Sequence, residues 1–213
     1  MITNGSFETP VAPVGGFTNF ITGSTAITGW TVVGPEVSVV STSYTSFGLT
    51  FDAEDGNQWL DLTGDVSNAV EGVEQIVATT PGTTYDLSYF IGNVVLPPGY
   101  GTTSTVKVLV DGTLIQTSTN SMGAGGTTQV WEQFSTSFTA ASSSTTIEFL
   151  NEDPPTDNSN GLDNVVLNPG VATTTPEPST AVIFVIGLGA IGLFGIRKRA
   201  AQSFVDTSAA VPR

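Results

Sequence analysis

Two of the commonest catalytic side chains are missing from this 213-residue chain, which has no cysteine and no histidine. Thiolate nucleophiles, disulfides and imidazole acid–base or metal chemistry are therefore outside its repertoire. A Ser-His-Asp triad and a Cys-His pair cannot be assembled from these residues. Lys107 sits inside an alternating strand-like run, where a lysine faces solvent, so a Ser–Lys dyad would need it buried or in a cleft. What remains is carboxylate chemistry. Two acids about 5–10 Å apart in an aromatic-lined cleft would make a glycoside hydrolase, and no local motif announces such a pair. The expectation is a protein without catalytic activity, the alternative being a carboxylate-dependent enzyme acting on polysaccharide.

Side chains suited to binding are easier to find. Trp30 and Trp131 lie in apolar strand-like runs and are expected in the core. Trp59 is open to both readings, core filler or stacking platform. Tyr44, Phe47 and Tyr100 stand in glycine-rich, loop-like surroundings and are candidates for an exposed binding surface. Trp59, Tyr44 and Tyr100 form the candidate ligand-binding set. The run Asn151-Glu152-Asp153-Pro154-Pro155-Thr156-Asp157-Asn158 has the oxygen ligands for a cation, but such a run is more often a solvated surface turn, which is the expectation here.

Charge narrows the partners further. The formal net charge is −14, and four of the five basic residues, Arg197, Lys198, Arg199 and Arg213, lie near the C-terminus. Residues 1–175 keep Lys107 alone against every acid except Glu177 and Asp206. A field of that sign repels phosphate backbones, which excludes nucleic acid as a partner and leaves neutral glycans and divalent cations.

Short β-prone runs punctuated by Gly, Pro, Asn and Asp fill residues 4–168, the pattern of an all-β sandwich or barrel. In Thr84–Ile91, Tyr85, Leu87, Tyr89 and Ile91 share one face, so that face is expected in the core. Thr105–Val110, then Asp111-Gly112, then Leu114-Ile115 reads as a hairpin. Further strands are expected around 30–33, 37–41, 58–62, 73–78, 130–138, 146–150 and 162–167. About ten strands in all suffice for two packed sheets.

After residue 168 the composition changes. Residues 169–175 read as a flexible linker. Three elements follow in order: Pro176-Glu177-Pro178, the uncharged apolar run Ala181–Ile196, and the basic cluster Arg197-Lys198-Arg199. The prolines hold an extended segment that a processing enzyme could bind. The apolar run makes a helix of about 24 Å, slightly under a hydrocarbon core, with arginines placed to snorkel. Basic residues remain on the cytoplasmic side, so the expected topology is N-out and C-in, with 200–213 as a cytoplasmic tail. The segment Met1–Gly5 has neither a basic nor an apolar leader region, so an export leader is expected upstream of this start or already removed.

The order of these three elements closely resembles the PEP-CTERM sorting signal, over residues 176–199. The resemblance implies an exported protein, held in the membrane until an exosortase processes it, in an envelope rich in exopolysaccharide. Within residues 4–167, Asn4-Gly5-Ser6-Phe7-Glu8, Gly29-Trp30, Asp55–Leu62, Pro81–Ser88 and Gly161-Leu162-Asp163-Asn164-Val165 resemble the choice-of-anchor C family and the galactose-binding-like jelly rolls, which include many carbohydrate-binding modules. That resemblance implies a jelly-roll β-sandwich over 1–168 with its chain ends adjacent. It also implies a structural calcium at Glu8 and Asp163, two carboxylates that could instead cap turns.

Overall fold

The computed structural model describes residues 1–64, 70–155 and 157–170. The sorting motif Pro176-Glu177-Pro178, the apolar run 181–196, the cluster Arg197-Lys198-Arg199 and the tail lie outside the described residues. Thirteen strands follow one another: β1 (Phe17–Ile21), β2 (Thr31–Val33), β3 (Glu36–Ser41), β4 (Tyr44–Ser46), β5 (Leu49–Phe51), β6 (Gln58–Asp61), β7 (Gly72–Ala78), β8 (Thr84–Asn93), β9 (Ser104–Val110), β10 (Thr113–Asn120), β11 (Val130–Thr139), β12 (Ser144–Asn151) and β13 (Gly161–Pro169). Ten of them match the sequence-based expectations. The additions are β1 and the β4–β5 hairpin, all short.

Two antiparallel sheets make the sandwich. One runs β1-β3-β6-β13-β8-β11, the other β10-β9-β12-β7-β2, and β4-β5 forms a separate ribbon. Inner faces meet in a core that includes Trp30, Val37, Val39, Leu60, Leu62, Leu87, Tyr89, Ile91, Ile147 and Phe149. On β8 the alternation holds as expected: Tyr85, Leu87, Tyr89 and Ile91 are all buried. Each such side chain contributes on the order of 1.5–3 kcal/mol of transfer free energy. The Asp111-Gly112 turn also forms as read. Both residues have positive φ (49° and 74°), the conformation that matches the twist of a two-residue hairpin.

On β3 and β6, by contrast, every residue is buried. Their inward residues Val37, Val39 and Leu60 enter the main core with Leu62 just beyond β6, while Val40 and Trp59 enter a second cluster with Leu49, Phe51 and Val94. The β4–β5 ribbon therefore roofs the outer face of the first sheet. Thr50 fastens it there, donating to Thr127 O at 2.8 Å and accepting from Gln129 N at 2.9 Å. At its tip Phe47 and Gly48 both have positive φ (50° and 81°), which leaves the Phe47 ring standing out from the turn.

The chain start lies along β13, so the two ends of the sandwich are adjacent. Val165 N donates to Gly5 O at 2.9 Å, so close that a Cβ on Gly5 would meet Val165 O at 2.1 Å. Residues 4–8 are turns rather than strand, and the first strand begins at Phe17.

Candidate functional site

A cavity of about 290 Å³ opens between the outer face of the first sheet and the β4–β5 roof. Strand alternation supplies its floor: Ser38 and Val40 from β3, Trp59 and Asp61 from β6. Phe17, Tyr44, Phe47, Phe51 and Tyr100 join Trp59 in its walls, and Ser46, Asn158 and Ser159 add polar atoms. The rings are mutually braced. Phe51 stacks on Trp59 at 6.1 Å, Tyr44 leans on Phe51 at 5.7 Å, and Phe17 meets Tyr44 edge-on at 5.6 Å. Tyr100 packs on Phe51 at 5.5 Å and on Phe47 at 6.4 Å. A backbone pair with Leu96 (2.9 and 3.1 Å) fixes Tyr100 at the mouth.

The three sequence-predicted binding residues thus converge in one place. Tyr44 and Tyr100 are half-buried, Phe47 is 84% exposed, and Trp59 is 1% exposed. Trp59 serves as core and cavity wall together, and its indole N–H has no partner. Trp30 lies in the main core as expected, whereas Trp131 is only half-buried, packing edge-on against Trp59 at 5.9 Å and donating to Asp52 O at 2.8 Å.

Asp61 was not among the predicted residues. Its carboxylate Oδ1 accepts from Thr63 N, Thr63 Oγ1 and Asn160 N at 3.0, 2.9 and 3.1 Å. Burial nevertheless raises its pKa to about 7, against the pull of those bonds. The signal that could have found it is strand parity: it shares a face with Trp59, opposite Leu60 and Leu62. Burial likewise pushes the Tyr100 phenol up.

Glu8 and Asp163, the pair that the resemblance implies for calcium, both accept backbone N–H groups. Both grip the loop before β6. Asn57 N and Gln58 N donate to Glu8 Oε1 (2.7 and 2.9 Å), and Glu54 N and Asp55 N donate to Asp163 Oδ2 (2.9 and 3.0 Å). Asn164 N takes the other Asp163 oxygen at 2.7 Å, where a register shift in β13 and a positive φ at Asn164 turn Asp163 inward. The geometry is that of two loop clamps, the turn-capping role open to both carboxylates. Burial holds Asp163 up to about 8. No group of three or more acidic side chains suited to a metal occurs among the described residues.

Gln58, also unforeseen, sews the chain start to the sheet, accepting from Ala12 N at 2.9 Å and donating to Pro10 O at 2.7 Å and to Phe7 O. Lys107 pairs with Glu152 on the other sheet. The Asn151–Asn158 segment departs from the surface-turn expectation: Asn151, Asp153 and Asp157 are buried, with Glu152, the two prolines and Asn158 exposed.

These features define a β-sandwich with a roofed aromatic cleft on one sheet. The chain belongs to the DUF642 family, described as a protein of unknown function, whose model matches residues 1–168. A second model, the PEP-CTERM protein-sorting motif, matches residues 174–199. That motif marks an exported, membrane-anchored protein sorted to the cell envelope. Among solved structures, the chain is similar to a cyclase from Fischerella sp. TAU, with a TM-score of 0.55 and 21% identity over 80% of this chain and 96% of that one. That likeness concerns the fold alone. It is also similar to a xylan-binding domain of carbohydrate-binding family 22 (TM-score 0.46, 17% identity, 74% and 97% covered) and to a family 35 module from Paenibacillus barcinonensis (TM-score 0.40, 15% identity, 72% and 99% covered). No curated protein matches the chain.

Proposed function

We propose that this protein is a non-catalytic glycan-binding component of the cell envelope, with the roofed cleft as its binding site. The observation that carries this reading is the wall of the cavity: six aromatic rings with serine, asparagine and aspartate side chains between them. Sugars present apolar C–H faces that stack on aromatic rings and hydroxyls that need polar partners, and such a mixed wall serves both. At about 290 Å³ the cavity suits a short stretch of glycan, such as a chain end or side branch, rather than a long polymer lying along a groove.

Hydrolysis would need a second carboxylate facing the first. Among the described residues lining the cavity, Asp61 is the acid present. Lys107, engaged by Glu152 on the other sheet, offers no nucleophile there. The enzyme alternative therefore has less support than binding.

The C-terminal segment delivers the sandwich to its ligand. An exosortase processes it near Pro176–Pro178, the 181–196 run spans the membrane beforehand, and Arg197-Lys198-Arg199 keeps the tail inside, so the sandwich faces outward. Exopolysaccharide of the same envelope is the natural glycan class. A glycan array probed with the full chain in detergent tests the binding reading. Retention of a set of neutral glycans sharing a terminal sugar is expected. Absence of any retained glycan would refute it, and release of shortened products would instead favour the enzyme.

A further inference from the structure

The segment that ends β12 and leads into β13 carries an unusual concentration of buried oxygen atoms without protein partners. They are Asp153 Oδ2, both carboxylate oxygens of Asp157, Ser159 Oγ and Asn160 Oδ1. The four residues are 8%, 0%, 1% and 0% exposed. Their other polar atoms are firmly held. Asp153 Oδ1 accepts from Thr105 N at 2.6 Å, and Asn160 Nδ2 donates to Thr105 O and Asn151 Oδ1, both at 2.7 Å. Asp153 and Asn160 are thus both fastened to Thr105, Asp153 through Oδ1 and Asn160 through Nδ2, leaving Asp153 Oδ2 and Asn160 Oδ1 without a bond. A turn closed by Asp157 N on Pro154 O at 2.9 Å returns Asp157 toward Asp153. The backbone amides of Gly101, Asn158 and Ser159 draw the Asp157 pKa down without making well-formed bonds, and burial outweighs them.

All of these oxygens except the Ser159 hydroxyl are purely acceptors, so what the cluster lacks is positive charge. Lys107, the basic side chain among the described residues, is committed to Glu152. Native proteins rarely leave buried acceptors unpaired, and buried carboxylates least of all. We propose that Asp153, Asp157, Ser159 and Asn160 form a calcium site. Two carboxylates, an amide oxygen and a hydroxyl, completed by water, match the all-oxygen, irregular shell that calcium accepts and magnesium does not. With no third acid on the ion, affinity should fall in the weak range of extracellular modules, roughly 0.1–1 mM. The ion would also set one wall of the aromatic cavity, since Asn158 and Ser159 line it and Asn160 N holds Asp61. The site is separate from Glu8 and Asp163, which hold the loop before β6.

The test uses the full chain in detergent, stripped with EDTA. Calcium titration by calorimetry should give saturable binding of one ion. Calcium at about ten times its Kd should raise the Tm by roughly 3–6 °C. D157N removes a buried charge at constant shape, so in EDTA it should unfold at or above the temperature of the parent and yet gain nothing from calcium. D153N should lose the response as well. Three results would overturn the proposal: no calcium heat and no shift in the parent, a full response retained in both variants, or stabilisation by acid alone with no calcium effect, meaning that protons satisfy these oxygens.

Discussion

At Asp61, Asp153 and Asp163 burial outweighs hydrogen bonding, and their pKa values stand at about 7, 8 and 8. In the unfolded chain each returns to the ordinary carboxylate range near 4. Between those limits the folded state binds more protons than the unfolded one, so stability falls as pH rises through about 4 to 8. In EDTA, Tm should be higher at pH 5 than at pH 8, and Asp61→Asn should remove part of that slope; a Tm that rises with pH over this range would contradict the assignment. Phe47 and Trp59 separate binding from folding. Phe47→Ala, at an exposed position, should shift unfolding by no more than about 0.5 kcal/mol while weakening glycan capture roughly three- to tenfold. Trp59→Ala should cost on the order of 3–5 kcal/mol, seen as a lower denaturant midpoint. Tyr44, Trp59 and Tyr100 were legible from residue type and loop punctuation. Asp61 was not, because a lone acid in a strand usually faces water, and here the β4–β5 hairpin just before β6 folds back over its face.

At the scale of elements, alternation located the strands that have one wet face, β8 above all. It said less about β3 and β6, which are covered on both sides, because a doubly buried strand carries no alternating pattern. The roof was illegible for a related reason: β4 and β5 have three residues each and are held by a neighbouring loop rather than by a long ladder. Their placement depends on contacts far apart in sequence. The Asn151–Asn158 run looked like solvent-facing polar chain by composition, and only the fold shows Asp153 and Asp157 turned inward. Two glycines test the element-level account by chemical denaturation. Gly5→Ala would drive a Cβ into the Val165 carbonyl and should cost more than about 2 kcal/mol. Gly48→Ala meets nothing within 4 Å, so its cost should be the conformational one alone, about 1 kcal/mol. Equal costs for the two would show that the chain start does not dock on β13 this closely.

For the molecule as a whole, a strongly acidic sandwich is joined to a C-terminal sorting motif, and the proposed function gives recognition to the first and address to the second. The address was readable because PEP-CTERM signals are linear: three short elements in order suffice, with no tertiary contact required. Processing predicts a mature C-terminus near Pro176–Pro178 in the envelope fraction, and mass spectrometry finding Arg213 intact there would contradict it. The central claim concerns the cleft, and it is tested most directly by affinity electrophoresis of the full chain through gels containing the exopolysaccharide of its own envelope. The parent should be retarded in proportion to polysaccharide concentration, and a Phe47→Ala Tyr100→Ala variant that remains folded should migrate freely. Equal retardation of the two proteins, or none for the parent, would contradict the account.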